Sequence, residues 1–230
     1  ARLVAGAANK VTMLGTLMED YKIDTHMLVY CGAARNNDFS SDESERDTEG
    51  ERQIVSVSKM LGHELGMKVT HFTSAESAAE REKIKHQFAA ADPYQAIVAI
   101  KCLDEGVNIP SIKIAFILAS STNPKEYIQR RGRVLRKAPN KPHAVIYDFI
   151  TLPTPIDCIS YGSENARLDL SLVKKEIIRM REFGEISKNP SEADKLVHEL
   201  SEASPRWPKD RRWSRRHTAP RRSRRSGRRR

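Results

Sequence analysis

This 230-residue sequence lacks several features that would assign a function quickly. No apolar run approaches the roughly 20 residues of a membrane-spanning helix, and no signal-peptide pattern opens the chain, so no membrane partner is expected. The three cysteines, Cys31, Cys102 and Cys158, are spaced for neither a zinc site nor a set of disulfides. We therefore expect core thiols, a reducing cytoplasmic location and no metal ligands.

Basic charge is also missing from most of the chain, although the net charge is +10. Residues 205–230 hold thirteen of the 40 Lys and Arg residues and one of the 30 acids, which leaves residues 1–204 with a net charge of −2. This Arg-, Ser- and Pro-rich tail cannot bury a core and is expected to be disordered. Its twelve arginines fit either a nucleic-acid-binding tail or a foreign, frameshifted end.

Short apolar runs alternate with helical patterns through the middle of the chain. The apolar runs predict strands at 26–31, 68–72, 95–100, 113–118 and 144–150, and helices are predicted at 51–65, 76–88 and from Pro124 onward. This alternation is typical of an α/β fold with a parallel sheet and helices on both faces. Ligands of such sheets bind beyond the carboxyl ends of the strands, so the residues that follow the strands should lie along one edge.

Four parts are predicted along the chain. Residues 1–25 form a helical leader or linker, 26–152 the α/β domain, 153–204 a helical extension with helices at 164–182 and 191–201, and 205–230 the disordered basic tail.

The most specific stretch is Gln129–Arg136, which reads Q-R-x-G-R-x-x-R. Arginine is planar and permanently charged, so it suits phosphate oxygens during phosphoryl transfer. On a helix Arg133 and Arg136 would point to the same side, and Gly132 would permit a close backbone approach or a sharp turn. A solvated basic helix face is the alternative interpretation. For Tyr127, packing of this helix is favoured over stacking on a base.

Four stretches, in this order, resemble motifs of the second RecA-like lobe of superfamily II helicases, the DEAD/DEAH-type ATPases. They are H-M-L-V-Y-C-G at 26–32 (motif IV), F-T-S-A-E-S-A-A-E-R at 72–81 (IVa), A-I-K-C-L-D-E-G-V-N-I-P at 99–110 (V) and Q-R-R-G-R-V-L-R at 129–136 (VI). The sequence looks closest to restriction-enzyme translocase subunits and excision-repair helicases. The resemblance implies a RecA-like lobe of an ATP-driven helicase or translocase, with double-stranded DNA as the expected partner.

The resemblance also assigns roles to individual residues. Arg133 and Arg136 match the arginine fingers that stabilise transition-state charge on ATP. The positions that match nucleotide-binding or motif-holding residues are Gly106, Asn108, Gln129 and Arg130. Asn108 stands where many relatives have aspartate, so its contact to the ribose would lack a charge. Thr73 and Ser74 match contacts to the nucleic-acid backbone.

The sequence has no G-x-x-x-x-G-K-[ST] loop, and no D-E-x-H or D-E-x-D follows an apolar strand. It also begins at Ala1 without an initiator methionine. We therefore expect a fragment that lacks the N-terminal RecA-like lobe. ATP and Mg²⁺ would bind only together with that lobe, and the chain alone would be inactive.

Two alternatives remain open. A non-catalytic protein could bind nucleic acid through its basic tail, with strong dependence on salt and none on base sequence. A nucleotide-binding regulatory domain of another enzyme would also fit the fold, although it explains the spacing of motifs V and VI poorly.

Overall fold

The computed structural model describes residues 8–31, 53–73, 75–100, 108–119, 124–152 and 164–202. The strands in these ranges are β1 (Met27–Cys31), β2 (Val69–Phe72), β3 (Ala96–Ile100), β4 (Ile114–Ile117) and β5 (Val145–Asp148). The helices are α1 (Ala8–Glu19), α2 (residues 53–59, continued by the π-helical turn Met60–Glu64), α3 (Ala78–Ala89), α4 (Pro124–Val134), α5 (Glu164–Glu185) and α6 (Pro190–Glu202). No helix in these ranges is long and apolar enough to cross a membrane.

The five strands form one parallel sheet in the order β2-β3-β1-β4-β5. The central strand is β1, in which Val29 pairs with Val98 on one side and with Phe116 on the other. Every residue of β1 is buried. A strand covered on both faces must be apolar along its whole length, which is why these strands appear in the sequence as continuous apolar runs.

Helices cover both faces of the sheet, and alternate residues of each strand point to opposite faces. Met27 and Val29 lie in one core cluster with side chains of α1 and α2, and Leu28 and Tyr30 lie in a second cluster with side chains of α3 and α4. The helical members of the two clusters include Leu14, Met18, Val57 and Leu61 in the first and Phe88 and Val134 in the second. The predicted α/β fold is confirmed.

Helix α1 belongs to the same core as the sheet. Leu14 and Met18 are fully buried, and the Lys10 ammonium donates a 2.5 Å hydrogen bond to the Leu118 carbonyl just beyond β4. The predicted leader therefore contributes core side chains to the α/β domain. The boundaries of the four predicted parts stay predictions.

The predicted helices of the extension are present as α5 and α6, which pack against each other. Val173 and Ile177 of α5 share a small core with Val197 of α6. The partly buried side chains of Ile150 and Leu152, which follow β5, pack against it. The extension is thus attached to the edge of the sheet formed by β5. The basic tail lies outside the described residues.

Candidate functional site around the arginine motif

Residues 129–134 of the arginine motif lie on α4, which is between β4 and β5 in the chain and covers one face of the sheet. Of the residues with predicted site roles, Thr73, Asn108, Gln129, Arg130, Arg133 and Arg136 lie within the described ranges. Gly106 and Ser74 lie outside them, as do the predicted edge residues 32, 104–107 and 120–123.

Arg130 anchors α4 over the carboxyl ends of two strands. Its side chain is 5% exposed, and its guanidinium carbon lies 4.5 Å from the centroid of the Tyr30 ring on β1. Its Nη1 donates a 3.4 Å hydrogen bond to the carbonyl of Ala119, which follows β4. A desolvated guanidinium over an aromatic face is a favourable cation–π contact. Arg130 thus holds the motif in place, and its predicted role towards the nucleotide stays a prediction.

Arg131 and Tyr127 fix a second side of α4. The Arg131 Nη1 donates a 3.0 Å hydrogen bond to the Glu182 carbonyl of α5, and its guanidinium carbon lies 5.1 Å from the centroid of the Phe183 ring. The Tyr127 hydroxyl donates to the Glu182 carboxylate. Burial and this hydrogen bond raise the pKa of the Tyr127 phenol. Tyr127 is buried, which agrees with the packing role favoured from the sequence.

The side chains of Gln129 and Arg136 are exposed, and that of Arg133 is partly exposed. The sequence led us to expect Arg136 on the helix. Helix α4 ends at Val134, however, so Arg136 lies in the turn that follows. The reason is a tightening of the last turn. The Arg136 N–H donates to the Arg133 carbonyl three residues back, at 3.4 Å, where an α-helix would join residues four apart.

Lys141 holds the carboxyl end of the motif. Its ammonium donates hydrogen bonds to the carbonyls of Val134, Arg136 and Pro110 at 2.6, 3.0 and 3.0 Å. Burial lowers the pKa of this lysine. Because Pro110 ends motif V, one side chain joins the end of that motif to the end of motif VI. The sequence reasoning missed Lys141, although a lysine beyond the end of a helix is a known way to satisfy its last carbonyls.

Asn108 is exposed and is followed by the buried Ile109. It lies two residues before Pro110, whose carbonyl Lys141 binds. The described end of motif V is therefore joined to the arginine motif through the Lys141 ammonium, which donates to a carbonyl of the first and to two of the second. The ribose contact assigned to Asn108 stays a prediction.

Thr73 follows β2, at the carboxyl edge of the sheet. Its N–H and its hydroxyl both donate to one oxygen of the Glu76 carboxylate, at 2.6 and 2.9 Å. Arg81 donates a 2.7 Å hydrogen bond to the Thr73 carbonyl. The two donors predicted to meet a nucleic-acid phosphate are thus engaged by a carboxylate, which a phosphate would have to displace. That contact stays a prediction.

Helix α3 begins after this turn, at Ala78. Ser77 is its N-cap residue and forms a reciprocal capping box with Glu80.

Within the described residues, no three His, Cys, Asp or Glu side chains are grouped as a metal site would require.

Residues 10–138 match the family model of the helicase conserved C-terminal domain. Over 75 residues the chain is 33% identical to the DNA 3'-5' translocase XPB2 of Sulfurisphaera tokodaii, an alignment covering 33% of this chain and 16% of that protein. The structure of S. cerevisiae Dbp5 bound to RNA and ADP BeF3 aligns with a TM-score of 0.47 and 17% identity over 84% of this chain and 42% of that one.

The aligned segment thus spans about a sixth of the translocase, whereas the family model matches more than half of this chain. The five-stranded parallel sheet and its helices have the α/β fold of a RecA-like lobe, and the chain belongs to the family of the helicase conserved C-terminal domain.

Proposed function

We propose that this lobe supplies Arg133 and Arg136 as arginine fingers to ATP that is bound by an N-terminal RecA-like lobe. One observation carries the proposal: Arg130, against Tyr30, and Arg131, against Phe183, hold α4 on the fold, and the motif continues from them to the molecular surface. The side chain of Arg136 is exposed and that of Arg133 is partly exposed. We infer that a triphosphate held by another domain reaches these two arginines.

The chemistry of this pair fits ATP. Guanidinium groups stay charged at every working pH and donate in a plane to phosphate oxygens. When bound, ATP and Mg²⁺ supply the phosphoryl group and the counter-charge for its transfer, and Mg²⁺ would be held by the N-terminal lobe. In this lobe Arg133 and Arg136 would bind the negative charge that develops on the phosphoryl group, and Gly106, Asn108 and Gln129 would contact the nucleotide.

The substrate we propose is double-stranded DNA, along which the complete protein moves or which it opens. The identity to a protein named as a DNA translocase supports this choice. Thr73 and Ser74 would contact the backbone of one strand, with the carboxylate of Glu76 giving way to a phosphate.

The test is steady-state ATP hydrolysis by the complete ATPase that contains this chain. Replacing an arginine finger typically lowers turnover by about 10³- to 10⁵-fold, which we expect for Arg133→Ala and for Arg136→Ala. Lys137→Ala removes an exposed neighbouring cation outside the motif and should retain wild-type turnover. A loss of less than tenfold in both arginine variants would remove these residues from the mechanism.

A second candidate function rests on the tail, whose net charge is +12. Electrostatic binding of DNA by such a tail weakens steeply as salt rises. Deletion of residues 205–230 from the complete ATPase separates the two functions. If the helicase lobe engages DNA, the shortened ATPase keeps DNA-stimulated ATP hydrolysis, and its affinity for DNA loses most of its dependence on salt. If the tail is the only binder, both affinity and stimulation disappear.

A further inference from the structure

Helix α5 contacts the arginine motif at two adjacent residues, Glu182 and Phe183. Glu182 accepts hydrogen bonds from both Tyr127 and Arg131, the former through its carboxylate and the latter through its carbonyl. Phe183 lies against the same two side chains, with ring centroids 6.0 Å apart for Tyr127 and the guanidinium carbon 5.1 Å away for Arg131. Tyr127 and Arg131 are four residues apart, so they lie on one side of α4.

Helix α5 is itself fixed to the sheet one turn earlier. Arg179 is 3% exposed, and its Nε donates a 2.8 Å hydrogen bond to the carboxylate of Asp148 at the end of β5. Its two terminal nitrogens donate to the two carboxylate oxygens of Glu176, at 2.9 and 2.5 Å. A buried guanidinium satisfied in this way has one favourable geometry, because any shift leaves a charge unpaired. The position of α5, and with it the contact that α5 makes with α4, is therefore fixed relative to the sheet.

None of these four contact residues belongs to the specified positions of the arginine motif. Tyr127 precedes it, and Arg131 occupies its unspecified third position. Glu182 and Phe183 lie beyond residue 138, where the match to the family model ends. The extension thus adds a contact to the helicase domain that the domain alone does not contain.

We propose that Tyr127 and Arg131 are positioning residues, which act through Glu182 and Phe183 to set the orientation of α4 and hence of Arg133 and Arg136. This inference rests on the proposed arginine-finger function. Misplacement of a catalytic group by about 1 Å can reduce the rate about 100-fold. Arg133 lies two residues after Arg131 on the same helix, so a rotation of α4 about its axis moves the guanidinium groups of Arg131 and Arg133 together.

The kinetic test uses the complete ATPase. Glu182→Ala removes the acceptor of the Tyr127 hydroxyl and leaves the backbone carbonyl that Arg131 binds. We expect its kcat to fall about 10- to 100-fold, with KM for ATP within twofold of wild type, as for a loss of positioning in the transition state. Glu182→Gln keeps an acceptor oxygen and should restore most of kcat. Glu185→Ala, an exposed change in the last turn of α5, is the matched control.

A double-mutant cycle isolates the bond. Tyr127→Phe removes the donor and Glu182→Ala the acceptor, so the double variant should be no slower than the slower single variant. Independent, multiplying losses would mean that the two residues act separately and would overturn the proposed contact.

Hydrogen exchange of the 230-residue chain tests the positioning without any catalysis. In Glu182→Ala the amides of α4 should exchange at least tenfold faster, while those of β1 and β3 keep their rates. Unchanged exchange in α4, or unchanged kcat in active enzyme, overturns the proposal. Faster exchange throughout the chain with normal kcat means that α5 only stabilises the fold, which also overturns it. If the complete wild-type protein does not hydrolyse ATP, the proposed function is overturned. Hydrogen exchange would still show whether α5 holds α4.

Discussion

The Lys141 ammonium lies 3.0 Å from the backbone carbonyl of Arg136, to which it donates a hydrogen bond. Its other two bonds, to Val134 and Pro110, use the remaining donors of the same group. A single positive charge therefore bonds to the carbonyl of Val134, the last residue of α4, at the end of the helix where the macrodipole is negative. It also fixes the backbone on which one proposed arginine finger is carried.

Replacement of Lys141 by Met should loosen the end of the motif. The variant keeps an unbranched side chain, one atom shorter, and removes all three donors, so we expect the free energy of unfolding to fall by about 1 kcal/mol, allowing for solvent screening at this partly exposed site. Amides of residues 131–136 should exchange faster. Lys137→Met, an exposed change of the same charge, is the control. Equal stability of the two variants in urea titrations would contradict the structural role.

Substitution of Gly132 should stabilise the isolated chain, and in the complete enzyme it tests whether another group approaches the motif. It is exposed within α4, and a Cβ added there would meet nothing within 4 Å. Because glycine is unfavourable inside a helix, Gly132→Ala should raise the free energy of unfolding of this chain by about 0.5–1 kcal/mol.

The control for Gly132 is a second helical glycine that does need its small size. A Cβ at Gly184 of α5 would lie 2.7 Å from the Cβ of Ala193 on α6, so Gly184→Ala should destabilise the chain. If the proposed N-terminal lobe or its ATP approaches Gly132 closely, Gly132→Ala should reduce ATP turnover although it stabilises the fold. Wild-type turnover in that variant would show that nothing approaches this glycine.

The sequence predicted the strands well because both faces of the sheet are covered, so that burial alone makes each strand continuously apolar. It also identified the helix that carries the motif. It could not tell which arginines are buried, since four arginines within seven residues share one chemistry and differ only in their neighbours. Arg130 is buried because Tyr30, a hundred residues earlier, lies beneath it.

The contacts that hold the motif were missed for a similar reason. Tyr127 and Glu182 are separated by 55 residues, and no local pattern links them. For Gly132 the sequence allowed a close backbone approach or a sharp turn. The structure has open space around this residue, with nothing within 4 Å of an added Cβ. By contrast, the Ser77–Glu80 capping box follows a local sequence rule and could have been assigned before the fold was known.

Lys10 gives a prediction for pH dependence. Its ammonium is 6% exposed and donates to the Leu118 carbonyl, near the charged groups of Glu176, Arg179 and Asp148. Burial lowers its pKa from 10.5 to about 8. Below pH 8 the lysine is charged in the folded and the unfolded chain alike, and the folded state bears the cost of burying the charge.

As the pH rises above 8, the folded chain releases this proton while the unfolded chain keeps it, so Lys10 should make the protein more stable. One pKa unit corresponds to about 1.36 kcal/mol, which predicts that the free energy of unfolding of wild type rises by about 1 kcal/mol between pH 7 and pH 9 relative to that of Lys10→Met.

Burial raises the pKa of the Cys31 thiol to about 12, and the hydrogen bond to Tyr147 raises the pKa of Tyr21 to about 12. Both oppose the gain above pH 9, but equally in the two proteins. Urea titrations at pH 7, 8 and 9 measure the difference directly, and a difference that stays constant would mean that Lys10 keeps its proton in the folded state.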